Sequence, residues 1–294
     1  MRIFVTGATG FIGSAVVTEL IQAGHEVAGL ARSDEAAAAL ANAGAHPHRG
    51  DLEDLESLRA GAAAADAVIH TAFVHDFSRL QDSGAIDLAA VEALAEGGRP
   101  LVITSGTALV TPGRVATEND VSDPNGAGSH RAPSEHAALA RGGVVVRFPP
   151  SVHGEGDHGF VPVLIGVARD RGVSAYVGDG SNRWAAVHRL DAAQLFRLAV
   201  ESAPSGSVLH GVGEEGVPTR AIAEAIGRHL DVPVASISAD EALEHFGWIG
   251  RFFAVDVPAS SAITQAKLGW RPTHHGLIED LDQGHYFQAT PAAA

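Results

Sequence analysis

Short apolar runs alternate with amphipathic stretches through the first half of the chain. The runs are RIFVT (2–6), EVAGL (26–30), AVIH (67–70), PLVIT (100–104) and GVVVRF (143–148). Their apolar residues fall on neighbouring positions rather than on every second one, which predicts strands buried on both faces. Between the runs, apolar residues recur at helical spacing, as at Ile12, Val16 and Leu20, with Gly24 as a stop signal. Buried strands separated by helices make βαβ units. The pattern predicts an α/β fold, with a Rossmann-type doubly wound parallel sheet over residues 1–150.

After Pro149-Pro150 the pattern changes. SVHGEGDHG, rich in Gly and His, reads as a loop. Helical patterns then recur at 160–170, 190–202, 218–229, 239–246 and 276–284, with short strands such as SAYVG and SVLHG between them. Residues 151–294 therefore predict a smaller, mostly helical substrate-binding part, with a boundary that strands returning to the main sheet would blur.

Composition narrows the class. A chain of 294 residues with 46% hydrophobic and 19% charged residues can bury a large core and is not expected to be disordered. With no cysteine, disulfides, thiolate metal sites and cysteine nucleophiles are excluded, which suits a reducing compartment. A formal charge of −15, with Lys267 the sole lysine, disfavours nucleic acid and anionic membrane as partners. No run of 18 apolar residues is present, and the start MRIFVTG lacks a signal-peptide pattern, so the expectation is a cytoplasmic protein.

The strongest chemical signal is VTGATGFIG, which follows the first strand and opens the first helix. It spaces Gly7, Gly10 and Gly13 as a dinucleotide loop requires: one glycine at the tight turn, one where backbone meets pyrophosphate, and one where helix meets strand. Thr9, Phe11 and Ile12 complete the expected phosphate-facing segment, at a helix N-terminus with unpaired N–H groups. The second strand runs into Ala31, Arg32 and Ser33, with Asp34 and Glu35 too late for the usual ribose-binding acid. Arg32 and Ser33 suit a 2′-phosphate, so NADP is favoured over NAD. The alternative is Arg32 stacked on adenine, with Asp34 turned back to the ribose of NAD. Asp51 and Leu52, in GDL, are expected at the adenine, although Asp51 could equally be the N-cap of the next helix.

With this loop, GDL, VIHTAF and RFPPSVHG, the chain resembles the extended short-chain dehydrogenase/reductase superfamily, nearest its atypical members of the NAD-dependent epimerase/dehydratase type. NRWAAVHRLDAAQLFRLAVE (182–201) and LGWRP (268–272) are similar to stretches of that family's substrate domain. The resemblance implies that Thr71, Ala72 and Phe73 line the path of the nicotinamide ribose and phosphates. It implies that Pro149, Ser151 and Val152 contact the nicotinamide amide. It also implies that Ser105 or Thr107 binds the substrate carbonyl, with Thr107 the better match; an ordinary strand-end turn is the alternative.

One stretch departs from the family. In SHRAPSEHAAL (129–139) the family's Tyr falls on Arg131 and its Lys on Glu135, or in another register on His130 and Ser134. Neither register restores the pair. The proton donors left are Asp76, His130, His153 and water; Asp76 could instead be a helix N-cap, and His153 a structural residue. Arg131 and Glu135 are expected to pair at (i, i+4) on a helix. His153, Glu155, Asp157 and His158 lack the helical spacing of a metal site, so no metal is expected. TSGT does not supply the Gly-x-Ser-x-Gly of a hydrolase.

The sequence thus reads as an NADP-dependent oxidoreductase that moves a hydride between nicotinamide and a small ketone or alcohol. The alternatives are a nucleotide-sugar epimerase or dehydratase of the same fold, or an NADP-binding sensor without catalysis. The expected partner is the small carbonyl or alcohol substrate, and a homodimer is left open.

Overall fold

The computed structural model describes residues 1–75, 79–110, 112–123 and 128–288. Seven strands form the central sheet, in the order β3-β2-β1-β4-β5-β6-β10, with every pairing parallel. They are β1 (Arg2–Thr6), β2 (Glu26–Ala31), β3 (His46–Arg49), β4 (Ala67–His70), β5 (Leu101–Gly106), β6 (Val144–Phe148) and, much later in the chain, β10 (Val208–His210). The order reverses between β1 and β4, and that break opens a crevice at the strands' C-terminal ends, where sheets of this kind bind ligands.

Helices cover both faces, as apolar strands require. α1 (Phe11–Gln22), α2 (Asp34–Asn42) and, from the second half of the chain, α7 (Arg189–Ser202) bury Val16, Leu20, Leu40, Leu195 and Phe196 on one side. α3 (Leu55–Ala63), α4 (Leu80–Ala95) and α5 (Ala132–Ala140) bury Leu58, Val91, Leu94 and Ala138 on the other. β3 reads His-Pro-His-Arg and no apolar run announces it. It is the sheet's edge, where a Pro and exposed polar side chains are tolerated.

The remaining elements form a second core. They are β7 (Ser151–His153), α6 (Phe160–Arg171), β8 (Ser174–Val177), β9 (Arg183–His188), β11 (Glu214–Pro218), α8 (Thr219–Leu230), β12 (Val234–Ile237), α9 (Ala242–Phe246), α10 (Gly250–Phe253) and α12 (Leu277–Asp282), whereas α11 (Ala262–Leu268) packs beside α7 and β10. Leu164, Trp184, Ile222, Ile226, Phe246, Phe253 and Leu281 are buried together there. The division at residue 150 is not a clean cut, because α7 and β10 belong to the main sheet. Among the described residues no helix is long and apolar enough to cross a membrane.

Candidate active site

The crevice is one cavity of about 1170 Å³, above the 300–1,000 Å³ usual for a drug-sized ligand and so roomy enough for a long cofactor with a second molecule. Its middle is the glycine loop between β1 and α1. Gly7 has φ +66°, and a Cβ there would stand 2.6 Å from the backbone nitrogen of Ala72. A Cβ on Gly13 would stand 2.0 Å from the carbonyl oxygen of Gly7, so helix and strand approach as closely as backbone allows. Gly10 caps α1 with no side-chain acceptor, and Gly10, Phe11 and Ile12 line the cavity. The first N–H groups of the helix are therefore available to an anion. Gly7, Thr9, Gly13, Thr71, Ala72 and Phe73 share this wall. The Thr71 hydroxyl donates to the Thr6 carbonyl (2.8 Å), tying the β4 end to the loop.

One end of the cavity is lined by Arg32, Asp51 and Leu52. No carboxylate stands at the end of β2. Asp34 is engaged by Arg49, whose guanidinium also donates to the Ser33 carbonyl. Ser33 itself is outside the lining; its hydroxyl accepts from the Ala36 N–H and caps α2. Asp51 is not the cap of α3, a place held by Asp54, which accepts from the Ser57 N–H. At the nicotinamide end expected from the family, Pro149, Ser151 and Val152 line the wall. The Ser151 hydroxyl is buried and has no hydrogen-bond partner among the described residues. An open glycine cradle, an uncapped helix N-terminus and this orphaned hydroxyl together fit a dinucleotide.

The ends of β5 and α5 carry the departures from the family pattern. Arg131 lines the cavity; its guanidinium carbon lies 3.9 Å from the Phe73 ring centroid, and Nη1 donates to the Thr104 carbonyl (3.1 Å). Burial pulls this guanidinium below its ordinary pKa, and the carboxylate of Asp87 opposes the shift. His130 and His75 line the same wall, and both imidazoles are held below their ordinary range by burial and then by the Arg131 charge. The expected Arg131–Glu135 pair does not form. Glu135 turns inward and binds Arg147 of β6 with both oxygens, while Ser105 donates to the same carboxylate (2.9 Å). Arg147 is almost wholly buried and outcompetes the (i, i+4) arginine because it has no water to return to.

Several other expectations are corrected here. Thr107 is 2% exposed and does not line the cavity, although its neighbours Gly106 and Ala108 do. Ser105 lines the cavity, but its hydroxyl hydrogen is committed to Glu135. His153 is buried outside the lining, with Nδ1 on Asp280 (2.9 Å) and its ring edge-on to His188. Asp76 lies outside the described residues. No group of three or more His, Cys, Asp or Glu among the described residues is placed to hold a metal ion. Motif reading did not single out the far wall, where Phe160, Trp248 and Phe252 line the cavity, because Phe160 lies far along the chain from the other two.

Comparison with known proteins agrees with this geometry. Residues 3–120 match the model of the NAD dependent epimerase/dehydratase family. An uncharacterised protein of Schizosaccharomyces pombe is 52% identical over 298 residues, covering 98% of this chain and 100% of that one. The 4-hydroxy-2-methyl-3-oxo-4-farnesyl-3,4-dihydroquinoline-1-oxide ketoreductase of Stigmatella aurantiaca is 31% identical over 226 residues, covering 71% of this chain and 67% of that one. Among solved structures, the dTDP-glucose 4,6-dehydratase DesIV of Streptomyces venezuelae, with NAD bound, superposes with a TM-score of 0.77 at 20% identity and 96% coverage of both chains. The chain belongs to the NAD dependent epimerase/dehydratase family.

Proposed function

We propose that this chain is an NADP-dependent oxidoreductase of small ketones and alcohols in which Arg131 takes over the electrostatic work of the absent tyrosine. The observation that carries this reading is Arg131 itself. In one of the two registers it falls where the family resemblance places the tyrosine; it lines the cavity and is fixed between the Phe73 ring and the Thr104 carbonyl. The cofactor supplies the hydride, and the chain supplies position and charge. The glycine loop and the N-terminus of α1 hold the pyrophosphate. Arg32 meets the 2′-phosphate, because no acid at the end of β2 claims the ribose. The Ser151 hydroxyl is free for the carboxamide.

At the reacting carbon, the Arg131 guanidinium holds the carbonyl oxygen and balances the negative charge that grows there. A fixed cation in a half-buried site is worth more than one that must first desolvate. The two neighbouring imidazoles are neutral at neutral pH, since burial and Arg131 lower both. They store no proton, so the alkoxide takes one from water. This reading gives Thr107 and His153 no role in the step, since the lining of the cavity includes neither.

The test is NADPH oxidation by the purified chain over a panel of ketones and aldehydes. Wild type should turn over, and Arg131→Met should lose about 10²–10³ in kcat, as removal of an oxyanion-hole donor does, with NADPH affinity unchanged. Tight NADPH binding with no turnover across the panel would favour the sensor reading. An Arg131→Met rate equal to wild type would remove Arg131 from the mechanism.

A further inference from the structure

The end of the cavity beyond Arg131 has a composition of its own. Phe160 and Val163 of α6, Phe252 of α10, and Trp248, Val255 and Val257 beside it line that wall. The rings touch one another: Phe160–Trp248 at 5.7 Å, Phe160–Phe252 at 5.9 Å and Trp248–Phe252 at 6.4 Å between centroids. Trp184 closes the back of the group at 5.7 Å from Phe160, and its indole N–H is already given to the Phe252 carbonyl.

Charge is distributed the opposite way. Among the described residues, the arginines that line the cavity are Arg32, Arg79 and Arg131, and none belongs to the elements that build this wall. Arg183, next to Trp184, is spent on Asp256 through two nitrogens, at 3.0 and 2.9 Å. Arg251 of α10 is exposed and does not line the cavity. Asp157, a carboxyl that also lines the cavity, accepts from the Tyr286 hydroxyl (2.9 Å) and the Gly159 N–H (2.7 Å) and brings no cation for a phosphate. A sugar nucleotide needs cations for its diphosphate. Among the described residues this lobe offers no Arg or Lys.

We infer that the second molecule in this cavity is an uncharged carbonyl compound with an aromatic or branched apolar body, seated on the Phe160–Trp248–Phe252 wall with its oxygen toward Arg131. The inference rests on the oxidoreductase reading for the fate of the carbonyl, but not for the binding. Aromatic walls select flat apolar bodies by area and by ring–ring contact, whereas a buried diphosphate without a partner would be strongly disfavoured.

Isothermal titration of the NADP⁺-loaded chain separates the two claims, because NADP⁺ binds without reducing a ketone. 2-Acetonaphthone, acetone and UDP-glucose are the probes. The expected result is measurable binding of 2-acetonaphthone, much weaker binding of acetone and none of UDP-glucose. Phe252→Ala should weaken 2-acetonaphthone about tenfold while leaving NADP⁺ affinity unchanged. Trp248→Ala, at a residue 39% exposed and so of little consequence for folding, should act in the same direction. Binding of UDP-glucose in preference to the ketone, or ketone affinity indifferent to both substitutions, would overturn the inference. Ketone binding without NADPH turnover would support the lobe assignment while sinking the oxidoreductase reading.

Discussion

The two ends of the cavity are made of different material. The nucleotide end is backbone: Gly7, Gly10 and Gly13, the first N–H groups of α1, and the main chain of β1 and β4 drawn against one another. The reaction end is side chains. Arg131 rests on Phe73, Glu135 and Arg147 are locked together beneath it, and rings from α6 and α10 form the far wall. Backbone sites tolerate little, since a single Cβ fills them. Side-chain sites can be rebuilt by exchanging residues, provided the buried charges still balance. Here SHRAPSEHAAL supplies neither Tyr nor Lys, and Arg131 and Glu135 carry the charges of that stretch. The Glu135 carboxylate is neutralised by Arg147 from the neighbouring strand and not by Arg131. Arg131 forms no ion pair among the described residues and lines the cavity.

The largest expected effect breaks the side-chain end at its base. Glu135→Gln leaves Arg147 buried with no countercharge, and loss of one partner from a buried pair typically costs about 3–5 kcal/mol. Urea denaturation should show that loss in the midpoint, with the glycine loop untouched. A variant within about 0.5 kcal/mol of wild type would mean that the pair carries no such weight.

A smaller effect is expected at the nucleotide end. Arg32→Ala removes a charge-assisted contact and should weaken NADPH by about 1.5–3 kcal/mol while barely changing NADH. Competition binding of the two cofactors measures the difference directly. Equal losses for both would return Arg32 to the adenine-stacking role of an NAD enzyme.

The smallest effect lies outside both ends, where His153 belongs. His188 is drawn down to about 4 from 6.5, by burial first and then by the neighbouring His153, against the pull of Asp280 and Asp191. His274 also faces it, stacked at 4.8 Å. The unfolded chain takes up a proton near 6.5 that the folded chain refuses. Stability is therefore fully present above pH 6.5 and falls between there and about 4. His188→Asn keeps a capping side chain for α7, where the His188 Nδ1 now accepts from the Leu190 N–H, but does not titrate. Its melting temperature should decline less than that of wild type from pH 7 to pH 4.5. Parallel curves would remove His188 as the cause.

Legibility in the sequence follows the same division. Strands β1, β2, β4, β5 and β6 were readable to within two residues, because a strand buried on both faces must be apolar throughout. The glycine spacing was readable because backbone geometry restricts residue type. β3 was not, since an edge strand is free to be polar. The reaction end was readable only as a departure from a family pattern. Ser105, Thr107 and His153 were reasonable candidates by position, but the Ser105 and His153 side chains are engaged by Glu135 and Asp280, and Thr107 is buried with its hydroxyl unpartnered among the described residues. The aromatic wall brings Phe160 against Trp248 and Phe252, a contact that no local periodicity encodes.

The central claim is that a fixed guanidinium, and not a titrating hydroxyl, meets the carbonyl oxygen. The pH dependence of kcat for NADPH-driven ketone reduction tests it most directly. Arg131 keeps its charge throughout the accessible range, and His75 and His130 are already neutral above pH 7. The account predicts a level kcat from pH 7 to about 9.5, below the range in which arginine titrates. A single ionisation within that window, with the rate falling as a neutral acid is lost, would show that a group other than Arg131 delivers the proton and would contradict the account.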